Sequence, residues 1–244
     1  GNVVEMNTVI DVVSIDTQNP SIANIEVNQD LLNDNLTGLQ ALVVSITFAE
    51  SMNNELTPTL ALDQAFNGSL ILNEGSSNWL SDTEYTAVYN LVDEDIDASS
   101  LDLTISNFED LAGNPGSQYT QEDFTILDTL GPSVTSSNSN ESSVSDNEVG
   151  TATLSIDIEF SEAMDENTTP ALTWFSDEDI STSLVLNTEL SAWNGNQTYT
   201  AVFDCVDQNI EVEDIDLNVE EAMDANMNMM DSSTLENILV LDTR

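Results

Sequence analysis

Hydrophobic and polar residues alternate along most of this chain with a period of two. In the segment 152–160, Leu154, Ile156, Ile158 and Phe160 occupy every second position, and Thr, Ser, Asp or Glu stands between them. In a β-strand, successive side chains point to opposite faces. The pattern therefore predicts a strand with one buried face and one face in solvent.

Similar alternation recurs through the chain, separated by loops rich in Asn, Asp, Ser and Gly. About seven short strands for roughly 100 residues are typical of an antiparallel Greek-key β-sandwich. The sequence thus predicts an all-β protein. The predicted strands of the first half lie near 20–28, 40–49, 58–62, 69–73, 84–91, 101–107 and 119–127, and each has an equivalent in the second half.

The two halves of the chain carry the same motifs in the same order. This agreement indicates a duplication, so we predict two tandem sandwiches. The matching segments are Phe48–Pro58 with Phe160–Pro170, Ser69–Asn73 with Ser183–Asn187, Trp79 with Trp193, and Tyr85–Tyr89 with Tyr199–Phe203.

The ends of the repeats are marked by a recurring hydrophobic-Asp-Thr tripeptide. It stands at 15–17, 127–129 and 241–243. These positions predict a first repeat over 17–128 and a second over 129–244. Residues 1–16 are then the end strand of a preceding repeat, or a leader. The linkers between repeats are short, and we expect them to be stiff.

Acidic residues dominate the charge of the chain. Forty-six Asp and Glu stand against one Lys or Arg and no His, which gives a formal charge of −45. Such a surface repels nucleic acid and anionic membranes. Clustered carboxylates prefer hard divalent cations, and Ca²⁺ is the expected cofactor. The alternative is an acidic surface that only keeps a marine or high-salt protein soluble.

Residues for catalysis are scarce. Without His the chain lacks the usual general base, and without internal Lys or Arg it lacks phosphate clamps. We therefore expect no enzyme. The single cysteine, Cys205, continues the alternation of Tyr199, Ala201 and Phe203, so it is predicted to lie in the core. No apolar run approaches the ~20 residues of a membrane helix, and no signal peptide opens the sequence, as expected of an internal fragment.

Two motifs carry a family resemblance. The motif Phe-Ser-Glu-Ala-Met-Asp at 160–165, and Asp-Leu-Ala-Gly-Asn at 110–114 with its altered copy at 224–228, resemble the bacterial immunoglobulin-like repeats of giant cell-surface adhesins. The acidic, Asn- and Thr-rich style is most similar to repeats from Bacteroidota, including the SprB-type gliding adhesins. The resemblance implies two immunoglobulin-like domains in an extracellular, cell-surface spacer, often stiffened by calcium, that holds a distal binding region away from the cell.

Strand order predicts where a metal would lie. The loops at 49–57, 74–84 and 108–118 fall at one end of the first sandwich, and those at 29–39, 63–68 and 92–100 at the other. The alternative is a solvated acidic loop without an ion. The candidate ligands at the junction are Asp128, Glu162, Asp165 and Asp224 from the second repeat with Asp93, Glu94, Asp95 and Asp97 from the first. The equivalent set in the first repeat is Asp16, Glu50, Asp110 and Asn114.

The matched tryptophans allow a second function. Trp79 and Trp193 are either packing residues at the end of each sandwich or platforms for a sugar ring. Their matched positions in strand phase favour packing. The sequence thus predicts adhesive spacer repeats whose partners are neighbouring repeats, for attachment or gliding motility. The alternative is a module that binds carbohydrate or another surface.

Overall fold

The structure is a computed structural model that describes residues 15–62, 66, 68–97 and 100–244. The described residues form mainly strands and loops, with a short 3₁₀ turn at Asp34–Leu36. None of them forms a helix long and apolar enough to cross a bilayer. The end strand or leader predicted for 1–16 lies, except for its last two residues, outside the described part.

The chain divides into two compact units. The first contains the described residues of the segments that end at Leu32, Val92 and Leu127. The second contains Asp128–Arg244 together with two short segments from earlier in the chain, Asn33–Leu36 and Asp93–Asp97. Two loops of the first sequence repeat therefore belong to the second unit.

The first unit consists of two sheets. One has the order β1-β3-β7-β5, with β6 also paired to β7, and the other has the order β2-β9-β8-β4. All pairs are antiparallel except β2 with β9, which is parallel. The strands are β1 (Ile22–Val27), β2 (Leu31–Leu32), β3 (Gly38–Phe48), β4 (Thr59–Leu62), β5 (Leu70–Leu72), β6 (Asn78–Trp79), β7 (Glu84–Leu91), β8 (Leu101–Ser106) and β9 (Tyr119–Leu127).

The second unit repeats this arrangement strand for strand. Its sheets have the orders β10-β12-β16-β14, with β15 on β16, and β11-β18-β17-β13. The parallel pair is β11 with β18. The strands are β10 (Val134–Ser139), β11 (Ser143–Ser145), β12 (Gly150–Phe160), β13 (Ala171–Phe175), β14 (Leu184–Leu186), β15 (Ala192–Trp193), β16 (Thr198–Cys205), β17 (Glu211–Glu220) and β18 (Ser233–Asp242).

This topology is that of an immunoglobulin-like sandwich. In the letters used for such domains, the two sheets of each unit read A-B-E-D and A′-G-F-C. The predicted fold class is confirmed, and all seven predicted strands of the first repeat are present. The sequence pattern missed β2 and β6, because a two-residue strand has no periodicity to detect.

Alternate residues of both sheets form the core of each unit. In the second unit, Ile156 and Phe160 of β12 share one cluster with Leu217 of β17 and Leu241 of β18. Cys205 belongs to this cluster at 2% exposure, and burial raises the pKa of its thiol. The predicted core position of Cys205 is therefore correct.

The matched tryptophans pack against the core. Trp193 meets Tyr199 edge-on at 5.3 Å between ring centroids, and its Nε1 donates a hydrogen bond to the carbonyl oxygen of Thr168 at 2.7 Å. Trp79 makes the same contacts, with Tyr85 at 5.3 Å and with the carbonyl oxygen of Leu56 at 3.0 Å. These contacts are those of packing residues, because the polar atom of each indole is used inside the domain.

Candidate metal centres

Each candidate centre is built on a five-residue loop that begins with Asp. The carboxylate of Asp110 accepts hydrogen bonds from the backbone N–H of Ala112 at 2.8 Å and of Asn114 at 2.9 Å. The side-chain amide of Asn114 donates to the same carboxylate at 2.7 Å. Gly113 closes the turn with φ +86°, a left-handed conformation that suits glycine. The loop thus fixes one carboxylate at the end of the sandwich.

The second copy keeps this shape although Met227 replaces the glycine. The carboxylate of Asp224 accepts the backbone N–H of Asn226 and of Asn228, both at 2.8 Å, and the amide of Asn228 donates to it at 2.9 Å. Met227 takes φ +69°. This left-handed conformation is costly for methionine, so the hydrogen bonds around Asp224 outweigh the backbone strain.

In the first unit, Asp110 lies beside two other carboxylates. One oxygen from each of Asp16, Glu50 and Asp110 lies within 4.8 Å of the others. The loop partner Asn114 also donates to the carbonyl oxygen of Asp16 at 3.3 Å. Desolvation, followed by the charges of Asp16 and Asp110, raises the pKa of Glu50. Desolvation opposes ionisation of Asp110 as well, but its hydrogen bonds outweigh this and lower its pKa.

In the second unit, the equivalent group is more deeply buried. Oxygens of Asp128, Glu162 and Asp224 lie within 4.8 Å of one another, and Asp128 and Asp224 are 3% and 1% exposed. Desolvation, together with the charges of Asp224, Asp128 and Asp97, raises the pKa of Glu162 to about 7. Desolvation also raises the pKa of Asp128. At neutral pH this group is therefore electrostatically strained without a counter-charge.

The segment Asp93–Asp97 lies against the residue that follows Asp128. The backbone N–H of Thr129 donates to the carbonyl oxygen of Ile96 at 2.7 Å, and Ile96 N–H donates to the Thr129 hydroxyl at 3.1 Å. Asp97 pairs with Asp128 through a backbone bridge. These bonds bring Asp97 close to the three-carboxylate group, as its effect on Glu162 also indicates.

Two ligand candidates were missed by the sequence analysis, Asn33 and Asp34. The amide of Asn33 donates to the carbonyl oxygen of Asn226 at 2.7 Å, and the N–H of Asp34 donates to Oδ1 of Asn228 at 2.9 Å. Desolvation and then the charges of Asp93 and Asp95 raise the pKa of Asp34 to about 6. The available signal was the run Asn-Asp-Asn at 33–35, in a loop already predicted to share one end with 92–100.

The other predicted ligands differ in their surroundings. The charges of Asp93 and Asp95 raise the pKa of Asp34, and Oδ1 of Asp93 accepts the N–H of Asp95 at 3.0 Å. Asp165 accepts the backbone N–H of Asn167 at 3.0 Å and its side-chain amide at 2.8 Å. The carboxylate of Asp165 therefore caps its own turn, outside the three-carboxylate group. Glu94 is exposed.

The donor set fits a hard cation. Two oxygens bound to one Ca²⁺ at about 2.3–2.6 Å lie no more than about 5 Å apart, which the separations in both groups satisfy. Asn33 adds a second observation, because its Oδ1 is buried and has no hydrogen-bond partner among the described residues. A buried carbonyl-type oxygen without a donor suits a cation ligand. All the candidate donors are oxygens, which favours Ca²⁺ over Zn²⁺.

Comparisons with known proteins give structural likenesses only. No protein-family model matches this chain, and no curated protein matches it. The titin tandem domains A164-A165 share 14% identity, with 93% of this chain and 97% of theirs covered and a TM-score of 0.29. The N-terminal Ig1-2 module of the Drosophila receptor protein tyrosine phosphatase DLAR shares 11% sequence identity. The match covers 93% of this chain and 100% of that module, with a TM-score of 0.24.

A third similar structure is bacterial. The N-terminal part of the S-layer protein SbsC shares 11% identity over 92% of this chain, with a TM-score of 0.28. This chain spans 44% of that structure. These likenesses concern architecture and carry no assignment of function.

Proposed function

We propose that this chain is a pair of calcium-binding, immunoglobulin-like spacer repeats from an extracellular surface protein. The observation that carries the proposal is the repetition of the three-carboxylate group: Asp16, Glu50 and Asp110 in one unit and Asp128, Glu162 and Asp224 in the other. The same loop anchors both groups although the sequences of the two loops have diverged. A duplicated domain with a duplicated acidic group suits a repeated spacer better than a single specialised site.

The role of calcium follows from the electrostatics. The chain has 46 acidic residues and one basic residue, Arg244, which pairs with Glu211. The buried carboxylates of the second unit therefore have no cationic side chain as a partner. The one ion pair in the described part of the chain joins Arg244 to Glu211 at an exposed position. A bound Ca²⁺ would supply the missing positive charge. It would also connect the segments Asn33–Leu36 and Asp93–Asp97 to the group Asp128, Glu162 and Asp224, which would stiffen the chain of repeats.

The proposal extends to the protein that contains these repeats, which would be a bacterial surface adhesin. Repeats of this kind would hold a distal binding region away from a bacterial cell, as in giant adhesins for attachment or gliding of the SprB type. We infer no catalytic role, because the candidate sites offer carboxylates and amides but no histidine, lysine or reactive thiol as a partner. Neighbouring repeats would be the immediate partners.

The test is thermal unfolding of EDTA-treated protein with millimolar Ca²⁺ or with Mg²⁺ at matched ionic strength. A specific site stabilises by RT ln(1 + [L]/Kd), about 2.7 kcal/mol at 100 times Kd, which raises Tm by several degrees. We expect the larger rise with Ca²⁺, because flexible oxygen clusters suit it better than Mg²⁺. Equal rises with both ions would reduce the effect to charge screening and refute the calcium proposal.

A further inference from the structure

A cleft in the second unit lies away from the carboxylate groups. It has a volume of about 560 Å³, is open to solvent, and extends along β13, the following loop and β14. This volume lies within the range of ligand sites in proteins. Because β13 is the last strand of one sheet and β14 the last strand of the other, the cleft follows one open edge of the sandwich.

The floor of the cleft consists of core residues from both sheets. Leu172 and Trp174 of β13 and Leu184 of β14 line it together with Phe203 of β16. The Trp174 ring packs on Phe203 at 4.9 Å between centroids, and Trp174 is only partly buried. The cleft is therefore an edge of the hydrophobic core that no side chain of this unit fills.

The adjacent edge strand is open to pairing. β13 pairs with β17 on one side, and no described strand pairs with its other side. Its five residues, Ala-Leu-Thr-Trp-Phe, contain no charge and no proline, the features that usually protect an edge. Phe175 is 54% exposed at its end. An unprotected apolar edge of this length is a template for another strand.

The rim of the cleft is negative. Asp177, Glu178 and Asp179 follow β13 after Ser176 and line the cleft, and no basic residue lines it. Oδ1 of Asp179 accepts the N–H of Ser181 at 3.0 Å, which holds the loop in place. Charge complementarity therefore favours a basic occupant and disfavours an anionic one.

We propose that this edge binds an extended basic segment of a partner protein by strand addition. The segment pairs with the free side of β13, places alternate apolar side chains into the cleft over Trp174 and Phe203, and places its lysine or arginine residues beside the loop 177–179. Backbone hydrogen bonds supply affinity and the cleft supplies selection of side chains. A polysaccharide fits less well, because the floor is formed by apolar side chains.

The test uses the full chain in saturating Ca²⁺ and a synthetic peptide of seven alternating lysines and valines. Two control peptides keep its charge: one has its alternate backbone amides N-methylated, and one has serine in place of valine. We expect both controls to bind at least ten-fold more weakly by titration calorimetry. Hydrogen exchange should slow in Ala171–Phe175 and stay unchanged in Val134–Ser139, a polar edge strand of the other sheet that lies outside the cleft.

Two variants test whether the acidic rim itself, and not the acidic surface as a whole, attracts the peptide. The variant D177N/E178Q/D179N should bind the valine peptide several-fold more weakly. The matched control E189Q/E213Q/E236Q removes the same charge from exposed positions outside the cleft and should bind as the parent does. Equal binding of all three peptides, equal effects of the two variants, or protection of Ala171–Phe175 by cellohexaose in place of the peptide would each overturn the proposal.

Discussion

The side-chain amide of Asn226 donates a hydrogen bond to Oδ2 of Asp128, although 98 residues separate them in sequence. Asn226 also donates its backbone N–H to the carboxylate of Asp224 at 2.8 Å. One residue thus holds two carboxylates of the same group in place. Because an amide carries no net charge, it orients these carboxylates without neutralising them.

Replacing Glu162 by Gln should remove most of the stabilisation by Ca²⁺ in the second unit. The amide keeps the shape of the side chain but removes one of the three carboxylates of the candidate centre. We expect the Ca²⁺-induced rise in Tm to shrink while the EDTA-treated protein becomes more stable, because one partly buried charge is lost. The control is Glu166→Gln, an exposed residue of the same loop. Equal Ca²⁺ responses of the two variants would exclude Glu162 as a ligand.

Metal-free protein should lose stability as pH rises from about 4 to about 7. Burial and neighbouring carboxylates raise the pKa of Glu162 to about 7 and of Asp34 to about 6 in the folded state. In this window the folded chain binds protons that the unfolded chain has released, so the free energy of unfolding falls with pH. Urea unfolding in EDTA at a series of pH values measures this.

Added Ca²⁺ and one substitution distinguish the effect of the raised pKa values from general repulsion among the acidic residues. Saturating Ca²⁺ should flatten the dependence on pH, because the ion takes the place of the protons. Glu162→Gln should flatten it in part, whereas Glu166→Gln should not. A free energy of unfolding that rises between pH 4 and 7 in EDTA would contradict the raised pKa values.

Met227→Gly should stabilise the second unit by about 0.5–1 kcal/mol. The left-handed conformation at φ +69° costs methionine about 1–2 kcal/mol, and part of the gain is offset by the greater freedom of glycine in the unfolded chain. In the first unit, Gly113→Ala should destabilise by about 1 kcal/mol, because it places a side chain at the matching left-handed position. An alanine Cβ would meet nothing within 4 Å there, so the cost is conformational. Urea unfolding measures both, and stabilisation by Gly113→Ala would refute this account.

Trp193→Phe should destabilise by about 1–2 kcal/mol, because the substitution removes the donor to the Thr168 carbonyl and part of the contact with Phe160. Trp79→Phe should have a similar effect, since its Nε1 bonds the Leu56 carbonyl in the same way. Denaturant midpoints provide the measurement. Unchanged stability in both variants would contradict the packing role of the indoles.

The candidate site was predictable in part, for a geometric reason. Strands that alternate in direction bring every second loop to the same end of a sandwich, so the motifs around Glu50 and Asp110 could be placed together from their order alone. The contact of Met52 with Asp110 agrees with that placement. Asn33 and Asp34 were not found, because their role depends on hydrogen bonds to residues 226 and 228.

The amino-acid sequence by itself determined the main strands, the duplication and the core of this protein. Alternating burial and repeated motifs are local properties of the chain, and a period of two permits only one face of each strand to be dry. Tertiary structure alone decided that Asn33–Leu36 joins the second unit, that Met227 keeps a glycine conformation, and that the edge at β13 stays open. These features depend on which groups meet across long sequence separations, where hydrogen bonds and packing override local preference.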